Sequence, residues 1–261
     1  MAGYGGNQGK RRTPSASPLI SVIIPAYNCA AYIGRALDSA LCQEVSLEVI
    51  VINDGGKDDL DKVMAGYLNN PVIRYVKNEK NLGVAATRNR GVMLAKAPYV
   101  AFLDADDWWS EGKLQKQLAC LKKTNTVLCT TARELMTPPG ELTGRIITVK
   151  ERITYRDLLR HNSINCSSVL LKTAVAREFP MCHEDSHEDY ITWLRILKKY
   201  HQASGINEPL MKYRLSSQGK SGHKLHSAAM TFKVYRYMGF GYLRSCWYFG
   251  CYAVHGILKY L

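Results

Sequence analysis

Four short apolar runs, Ile20 to Pro25, Leu47 to Ile52, Val72 to Val76 and Tyr99 to Leu103, alternate with segments of helical period in the first hundred or so residues. The intervening segments, about Ala31 to Leu41, Asp58 to Leu68 and Val84 to Ala95, rotate small and apolar residues at helical spacing. Tyr27-Asn28, Asn53-Asp54-Gly55-Gly56 and Asn81-Leu82-Gly83 supply turn signals between them. Strands alternating with helices of this length imply βαβ units and a mainly parallel sheet. Parallel strands present the same end to one edge, and that edge is where α/β proteins place ligands. The turns after Pro25, Ile52 and Leu103 therefore meet, and Tyr27, Asp54, Asp104 and Asp106 line one crevice.

The fourth run ends abruptly in Asp104-Ala105-Asp106-Asp107. Carboxylates crowded at a strand end repel one another unless a cation lies between them. Mg²⁺ or Mn²⁺ suits the place, since such ions bind one or two carboxylates together with the phosphates of a substrate. Taken alone, the same residues also describe a turn cap followed by an acidic first helical turn. No Gly-x-Gly-x-x-Gly follows the first strand and no Walker lysine loop exists, which disfavours dehydrogenases and P-loop phosphotransferases.

A chain of 261 residues holds one large α/β domain, or one domain with an extension. Its net charge of +13 is unevenly spread. After Glu208 there is no acidic residue, while Lys212, Arg214, Lys220, Lys224, Lys233, Arg236, Arg244 and Lys259 follow, and Lys10, Arg11 and Arg12 open the chain. This asymmetry points to a polyanionic partner, either nucleic acid or an anionic membrane surface. The eight cysteines form no Cys-x-x-Cys pair and several lie in apolar contexts, which favours reduced thiols and a cytoplasmic setting. Residues 1–18 lack the apolar core of a signal peptide and read as a disordered basic tail. No window approaches the roughly 20 apolar residues of a spanning helix.

Four motifs in order over the first part of the chain resemble the inverting family 2 glycosyltransferases of GT-A fold, which move a sugar from a nucleotide diphosphate donor. Ser21-Val22-Ile23-Ile24-Pro25-Ala26-Tyr27-Asn28 is similar to the family's opening strand and nucleotide-contacting turn. Glu48 to Asp58 resembles its second strand and acidic turn, Asn81 to Gly91 its Asn-x-Gly and Ala-Arg-Asn-x-Gly helix, and Phe102 to Asp107 its metal motif. The resemblance extends over about residues 19–215 and implies a Rossmann-like α/β fold, with residues 216–261 as a helical extension. It implies donor contacts from Pro25, Ala26, Tyr27, Asn28, Asp54, Gly55, Arg88, Asp104 and Ala105, with Asp54 accepting from a uracil imide if the donor is a UDP-sugar. It implies Asp106 as direct metal ligand, with Asp104 near the metal and ribose. Asn53 stands where the family usually has a first Asp, and Gly56 where it often has Ser.

Glycosyl transfer with inversion needs a carboxylate to take the acceptor hydroxyl's proton. The family supplies it from a Glu-Asp pair at the start of a later helix, which here implies Glu188-Asp189 with Asp189 as base. A second pair, Glu184-Asp185, offers another register. Asp189 is preferred because Ile191, Leu194, Ile196 and Leu197 follow it at the distance that anchors a helix. Ser186-x-x-Asp189 also spells a capping box, a role compatible with catalysis. His183-Glu184-x-x-His187 spells the zinc-protease motif, but Pro180 and the cap at Ser186 place both histidines on a loop, so a zinc hydrolase is the weaker alternative.

From Tyr213 onward eleven aromatic residues interleave with the basic ones. Phe232, Tyr235, Phe240, Leu243, Trp247, Phe249 and Ile257 with Lys233, Arg236 and Arg244 at their borders describe an interfacial membrane helix. They equally describe helices that cap the catalytic domain or pair with a second subunit. A nucleic-acid-binding protein is the rival reading, but it leaves acidic turns that repel phosphate unexplained. The expectation is a metal-dependent glycosyltransferase with a UDP-sugar donor and a hydroxyl acceptor, a lipid-linked saccharide being one such acceptor, in cell-surface polysaccharide or glycolipid assembly. No nucleic acid is expected as a partner, and self-association is left open. The expected location is cytoplasmic, with peripheral membrane contact through the C-terminal region.

Overall fold

The computed structural model describes residues 17–215 and 224–258, and the side chains of 224–225 and 255–258 are not described. The expected tail at 1–18 lies almost wholly outside these residues, and the expected boundary at 215 and 216 falls at their edge. Ile20–Ala26 (β1), Ile33–Leu41 (α1), Leu47–Asn53 (β2), Leu60–Ala65 (α2), Ile73–Lys77 (β3), Val84–Leu94 (α3) and Tyr99–Phe102 (β4) form the alternation read from the sequence. Helix α2 is shorter than its periodic segment because Gly66 ends it and turns follow before Pro71. Beyond β4 come Trp108–Trp109 (β5), Lys113–Thr124 (α4), Leu128–Met136 (β6), Leu142–Ile147 (β7), Arg152–Thr154 (β8) and Tyr155–Arg160 (α5). A 3₁₀ turn at Cys166–Ser168 precedes Leu170–Lys172 (β9), Thr173–Glu178 (α6), Glu188–Tyr200 (α7), Gln202–Arg214 (β10), Lys224–Tyr237 (α8) and Tyr242–Leu258 (α9).

The sheet runs β3-β2-β1-β4-β9-β6-β10-β5, with β7 beside β6 and β8 beside β10. Strands β1 to β4 are parallel, as expected. The second half is mixed: β9 runs antiparallel to β4 and β6, β6 and β10 are parallel, and β5, β7 and β8 pair antiparallel. The expectation of a mainly parallel sheet therefore holds for the half that carries the turns after Pro25, Ile52 and Leu103. Strands of two or three residues such as β5, β8 and β9 are too short to carry a periodic signal.

Side chains alternate across the sheet, so β1 sends Val22 and Ile24 to one core and Ile23 to the other. Helices α1, α2 and α4 cover the first face, while α3, α5, α6 and α7 cover the second. Burial on both faces is why β1 and β2 are nearly uninterrupted apolar runs. Helix α3 lies close against the sheet through Gly91, where an added Cβ would stand 2.4 Å from Ile23 and 3.0 Å from Ile52. The C-terminal helices continue the second face. Val234 and Tyr235 of α8 are fully buried and belong to the same core as Phe102 and Trp193, and α9 packs on α5 and α8. Among the described residues no helix is long and apolar enough to cross a membrane.

Candidate active site

Helix α3 is the spine of the site. Its entry is held by Asp54 at the end of β2, whose carboxylate accepts from the backbone N–H groups of Leu82 (2.9 Å) and Gly83 (3.0 Å) and from the Asn78 amide (2.6 Å). Gly83 takes φ +86°, a backbone that side chains disfavour, and the Glu184 carboxylate fills the space where its Cβ would lie. Glu184 accepts from the first free N–H groups of the helix, Ala85 at 2.8 Å and Val84 at 3.3 Å. A carboxylate there satisfies orphan donors and complements the positive end of the helix dipole.

One turn further on, Arg88 is buried and reaches two carboxylates 16 and 100 positions away. Its Nη2 donates to Asp104 at 2.6 Å and its Nη1 to Glu188 at 2.9 Å. Burial disfavours this charge, but the field of Asp104, joined by Glu188, outweighs it and raises the guanidinium's pKa, so Arg88 is charged. The sequence reading placed Arg88 near the nucleotide. The structure makes it the tie between the acidic turn after β4 and the start of α7.

In the acidic turn, Ser167 donates support by accepting the Asp104 backbone N–H on its hydroxyl at 3.0 Å. Asp107 is buried and accepts the Arg214 N–H at 3.0 Å, which gives it a structural task beyond a helix start; no helix begins there. Asp106 is half-buried, and its carboxyl is pushed up to about 6, by burial first and by the charge of Asp104 second. Arg214, at the end of β10, donates through Nε to the Asp106 carbonyl (3.0 Å) and through Nη1 to Pro138 (2.6 Å), with its guanidinium 4.6 Å from the Tyr32 ring centroid. Ser167 and Arg214 were missed as site residues. Arg214 stood out only as one of many C-terminal cations, and the β6–β10 register alone brings it here.

Where donor contacts are expected, Pro25 and Ala26 close β1, Tyr27 is half exposed, and Asn28 adopts φ 49° and accepts the Lys57 N–H at 2.8 Å. Gly55 takes φ +75° in the turn after β2. The two departures from the family pattern have local causes. Asn53 accepts the Gly56 N–H at 3.0 Å and donates to the Tyr75 hydroxyl at 3.0 Å, while that hydroxyl donates to Asp61 at 2.7 Å. With its proton committed to Asp61, Tyr75 needs a donor partner, which Asn supplies and Asp does not. A Cβ at Gly56 would stand 2.9 Å from the Asn28 backbone nitrogen.

The expected base opens α7. Asp189 is half-buried, and burial together with neighbouring Glu188 pushes its carboxyl up to about 6. The capping box read at Ser186-x-x-Asp189 does not form: the helix begins after His187 without a side-chain cap, and the Ser186 hydroxyl donates to the Met230 carbonyl at 2.9 Å. The competing Glu-Asp pair is engaged elsewhere, Glu184 on α3 and Asp185 with Lys233 and Tyr237, each at 2.8 Å. The zinc-protease motif fails on geometry as well, since His183 and His187 lie before the helix and His183 stacks on Tyr237 with ring centroids 3.7 Å apart.

These contacts form a pattern. Ser227, Met230, Lys233 and Tyr237 lie on one face of α8 and meet His187, Ser186, Asp185 and His183 in reverse order. The loop before the expected base is thus clamped by α8 on one side and, through Glu184, by α3 on the other. Of the two sequence readings of the tail, capping of the catalytic domain is what the described residues show for α8.

Asp104 and Asp106 at the strand end offer an all-oxygen donor set, and the burial and the repulsion from Asp104 that together raise Asp106 are what a hard cation would relieve. The residues therefore fit such an ion. Among the described residues no group of three or more His, Cys, Asp and Glu forms a closed metal site, so phosphate and water oxygens would complete the shell.

A sheet edge lined by Asp54 and the Asp104–Asp106 turn, tied through Arg88 to an acidic helix start, defines a GT-A nucleotide-sugar transferase. The model for glycosyl transferase family 2 matches residues 21–175, and the chain belongs to that family. It is 34% identical over 247 residues to the putative teichuronic acid biosynthesis glycosyltransferase TuaG of Bacillus subtilis (strain 168), covering 94% of this chain and 98% of that protein. It is 29% identical over 243 residues to an Escherichia coli enzyme, the UDP-Glc:alpha-D-GlcNAc-diphosphoundecaprenol beta-1,3-glucosyltransferase WfaP, covering 93% of this chain and 95% of that one. Among solved structures, S. aureus TarS 1-349 in complex with UDP-GlcNAc superposes with a TM-score of 0.68 at 18% identity, over 82% of this chain and 65% of that chain. The mannosyltransferase PcManGT from Pyrobaculum calidifontis, in complex with GDP-Man and Mn²⁺, gives 0.66 at 18% identity over 87% and 66%.

Proposed function

We propose that the chain is an inverting, divalent-metal-dependent transferase that moves a sugar from a UDP-sugar to a hydroxyl of a lipid-linked saccharide during cell-surface polysaccharide assembly. The observation that carries this reading is the Arg88 tie, which holds the acidic turn and the Glu188–Asp189 helix start together across the chain. Tyr27, Asn28, Gly55 and Asp54 carry the base. Asp54 already receives three protein donors, and a carboxylate offers about four lone-pair sites, so one acceptor position is left for a base imide. Asp106, with Asp104, would hold Mn²⁺ or Mg²⁺, which when bound would supply Lewis-acid stabilisation of charge on the departing diphosphate.

The acceptor hydroxyl lies between Asp189 and the anomeric carbon. Asp189 takes its proton, the oxygen forms the new bond to that carbon from the face opposite the diphosphate, and the bond to the phosphate oxygen breaks with its electron pair leaving on UDP. Configuration inverts as a result. A lipid-linked acceptor is the substrate class named for WfaP, and it agrees with an enzyme held at the membrane periphery by its C-terminal region. The test is a screen of nucleotide-sugars with Mn²⁺ on the native protein and on Asp189→Asn. Turnover by the native chain, lost in the variant with UDP binding retained, is expected. Undiminished turnover by Asp189→Asn would remove the base from Asp189.

A further inference from the structure

Helix α9, Tyr242–Leu258, has Arg244 as its sole Asp, Glu, Lys or Arg. Its inner face is committed: Tyr248 stacks on Tyr235 at 5.8 Å and Phe249 packs edge-on to Phe232 at 6.0 Å. Its outer face is apolar as well, yet Leu243, Trp247 and Val254 are 87%, 69% and 56% exposed. Their spacing of four and seven residues places them on one stripe, and Cys246 beside them is also exposed. A helix apolar on both faces is normally covered on both, and among the described residues no helix is long and apolar enough to cross a membrane.

The charges around the stripe say what covers it. At the α8–α9 turn, Arg244 shares a shallow hollow with Tyr242 and Leu243 and lies 5.7 Å from the centre of the Phe240 ring, while Arg236 donates to the Phe240 carbonyl at 2.6 Å, so both cations are held at the end of α9 where the stripe begins. The cleft next to Tyr237 and Met238 carries Arg195, Lys198 and Lys199 of α7 with one carboxylate, Glu178, which pairs with Lys199. Neither α8 nor α9 contains an acidic residue. We infer that the outer face of α9, bordered by Arg236 and Arg244, is the surface on which the protein docks to an anionic bilayer, α9 lying in the interface plane. The inference rests on the peripheral membrane contact proposed above and names its surface and lipid class. A second copy of the chain on this face would bring like charges together at a two-fold contact. A nucleic acid would neutralise the cations but leave Leu243 and Val254 in water. A bilayer surface accommodates both features, with aromatic and aliphatic side chains below the headgroups and cations among them.

The test is co-sedimentation of the full chain with vesicles of phosphatidylcholine alone and of phosphatidylcholine mixed with phosphatidylglycerol. Binding to the mixed vesicles only, weakened by salt, is expected. A cation at such a surface strengthens binding about fivefold, so Arg236→Gln with Arg244→Gln lowers partitioning about 25-fold. Leu243→Glu with Trp247→Glu abolishes it while circular dichroism and the melting temperature stay unchanged. Absence of binding to mixed vesicles, equal binding by the Glu variant, or a dimer in light scattering that the Glu variant dissolves would each overturn the inference. Donor turnover measured on the same preparations separates the two readings: turnover without vesicle binding removes the docking surface and leaves the transferase, and vesicle binding without turnover does the reverse.

Discussion

Asp189 sits in a position where function and stability pull apart. Its folded pKa of about 6 lies above the usual carboxylate value, so the stability this group contributes is full at low pH, where it is protonated in both folded and unfolded states, and is lost as pH rises through about 6. As the proposed base it must be ionised, so transfer is expected to have the opposite slope and to fall as pH drops through that value. Asp189→Asn is therefore expected to cut transfer by about 10²–10⁴-fold and to stabilise the protein at neutral pH, by on the order of 2 kcal/mol. Steady-state rates and urea unfolding of the same preparations measure both. Asn53 gives a contrasting case, since its amide is matched to Tyr75 and Gly56. Asn53→Asp would restore the residue usual in the family but set a carboxylate against a hydroxyl whose proton serves Asp61. A loss of about 1–3 kcal/mol in denaturant unfolding is expected, and an unchanged midpoint would show that Tyr75 turns its proton to position 53.

Among the elements, α8 has a role that its composition concealed. Its sequence read as an amphipathic basic helix, yet Lys233 and Tyr237 are spent on Asp185, and Tyr237 also stacks on His183. Directly after this loop comes Glu188, which Arg88 holds from α3. Lys233→Ala with Tyr237→Phe is expected to lower kcat about tenfold to a hundredfold, the cost of a base displaced by a fraction of an ångström to one ångström. KM for the donor stays the same, because Asp54, Asp104 and Asp106 lie on other elements. A KM change with unaltered kcat would instead place α8 in donor binding.

At the scale of the whole molecule, α8 and α9 belong to the catalytic core. Tyr190 of α7 is buried with its hydroxyl donating to the Leu158 carbonyl at 2.6 Å, and Tyr235 covers it while donating to the Leu159 carbonyl at 2.9 Å. Deleting residues 216–261 uncovers this layer and releases the base loop. The shortened chain is expected to aggregate or to lose its near-ultraviolet circular dichroism. A monomeric fragment with intact donor turnover would show instead that residues 17–215 form an independent unit.

The first half of the fold was legible because its strands are buried on both faces and read as unbroken apolar runs, closed by turns whose chemistry is local. Tyr27, Asp54, Asp104 and Asp106 share an edge for the same reason, since parallel strands align their ends. The start of α7 at Glu188-Asp189 was legible through the apolar residues that follow it. Local patterns carried no information about where Arg88 points, which Glu-Asp pair is engaged elsewhere, or what Arg214 touches. Those depend on contacts between residues about a hundred positions apart, such as Arg88 with Glu188 and Arg214 with Asp107. Burial and charge at such contacts exist only once the helices are laid on the sheet. The amino-acid order thus specified the elements, the acidic turns and the kind of chemistry, while packing chose among equivalent carboxylates and turned a basic aromatic tail into a clamp with one apolar face outward.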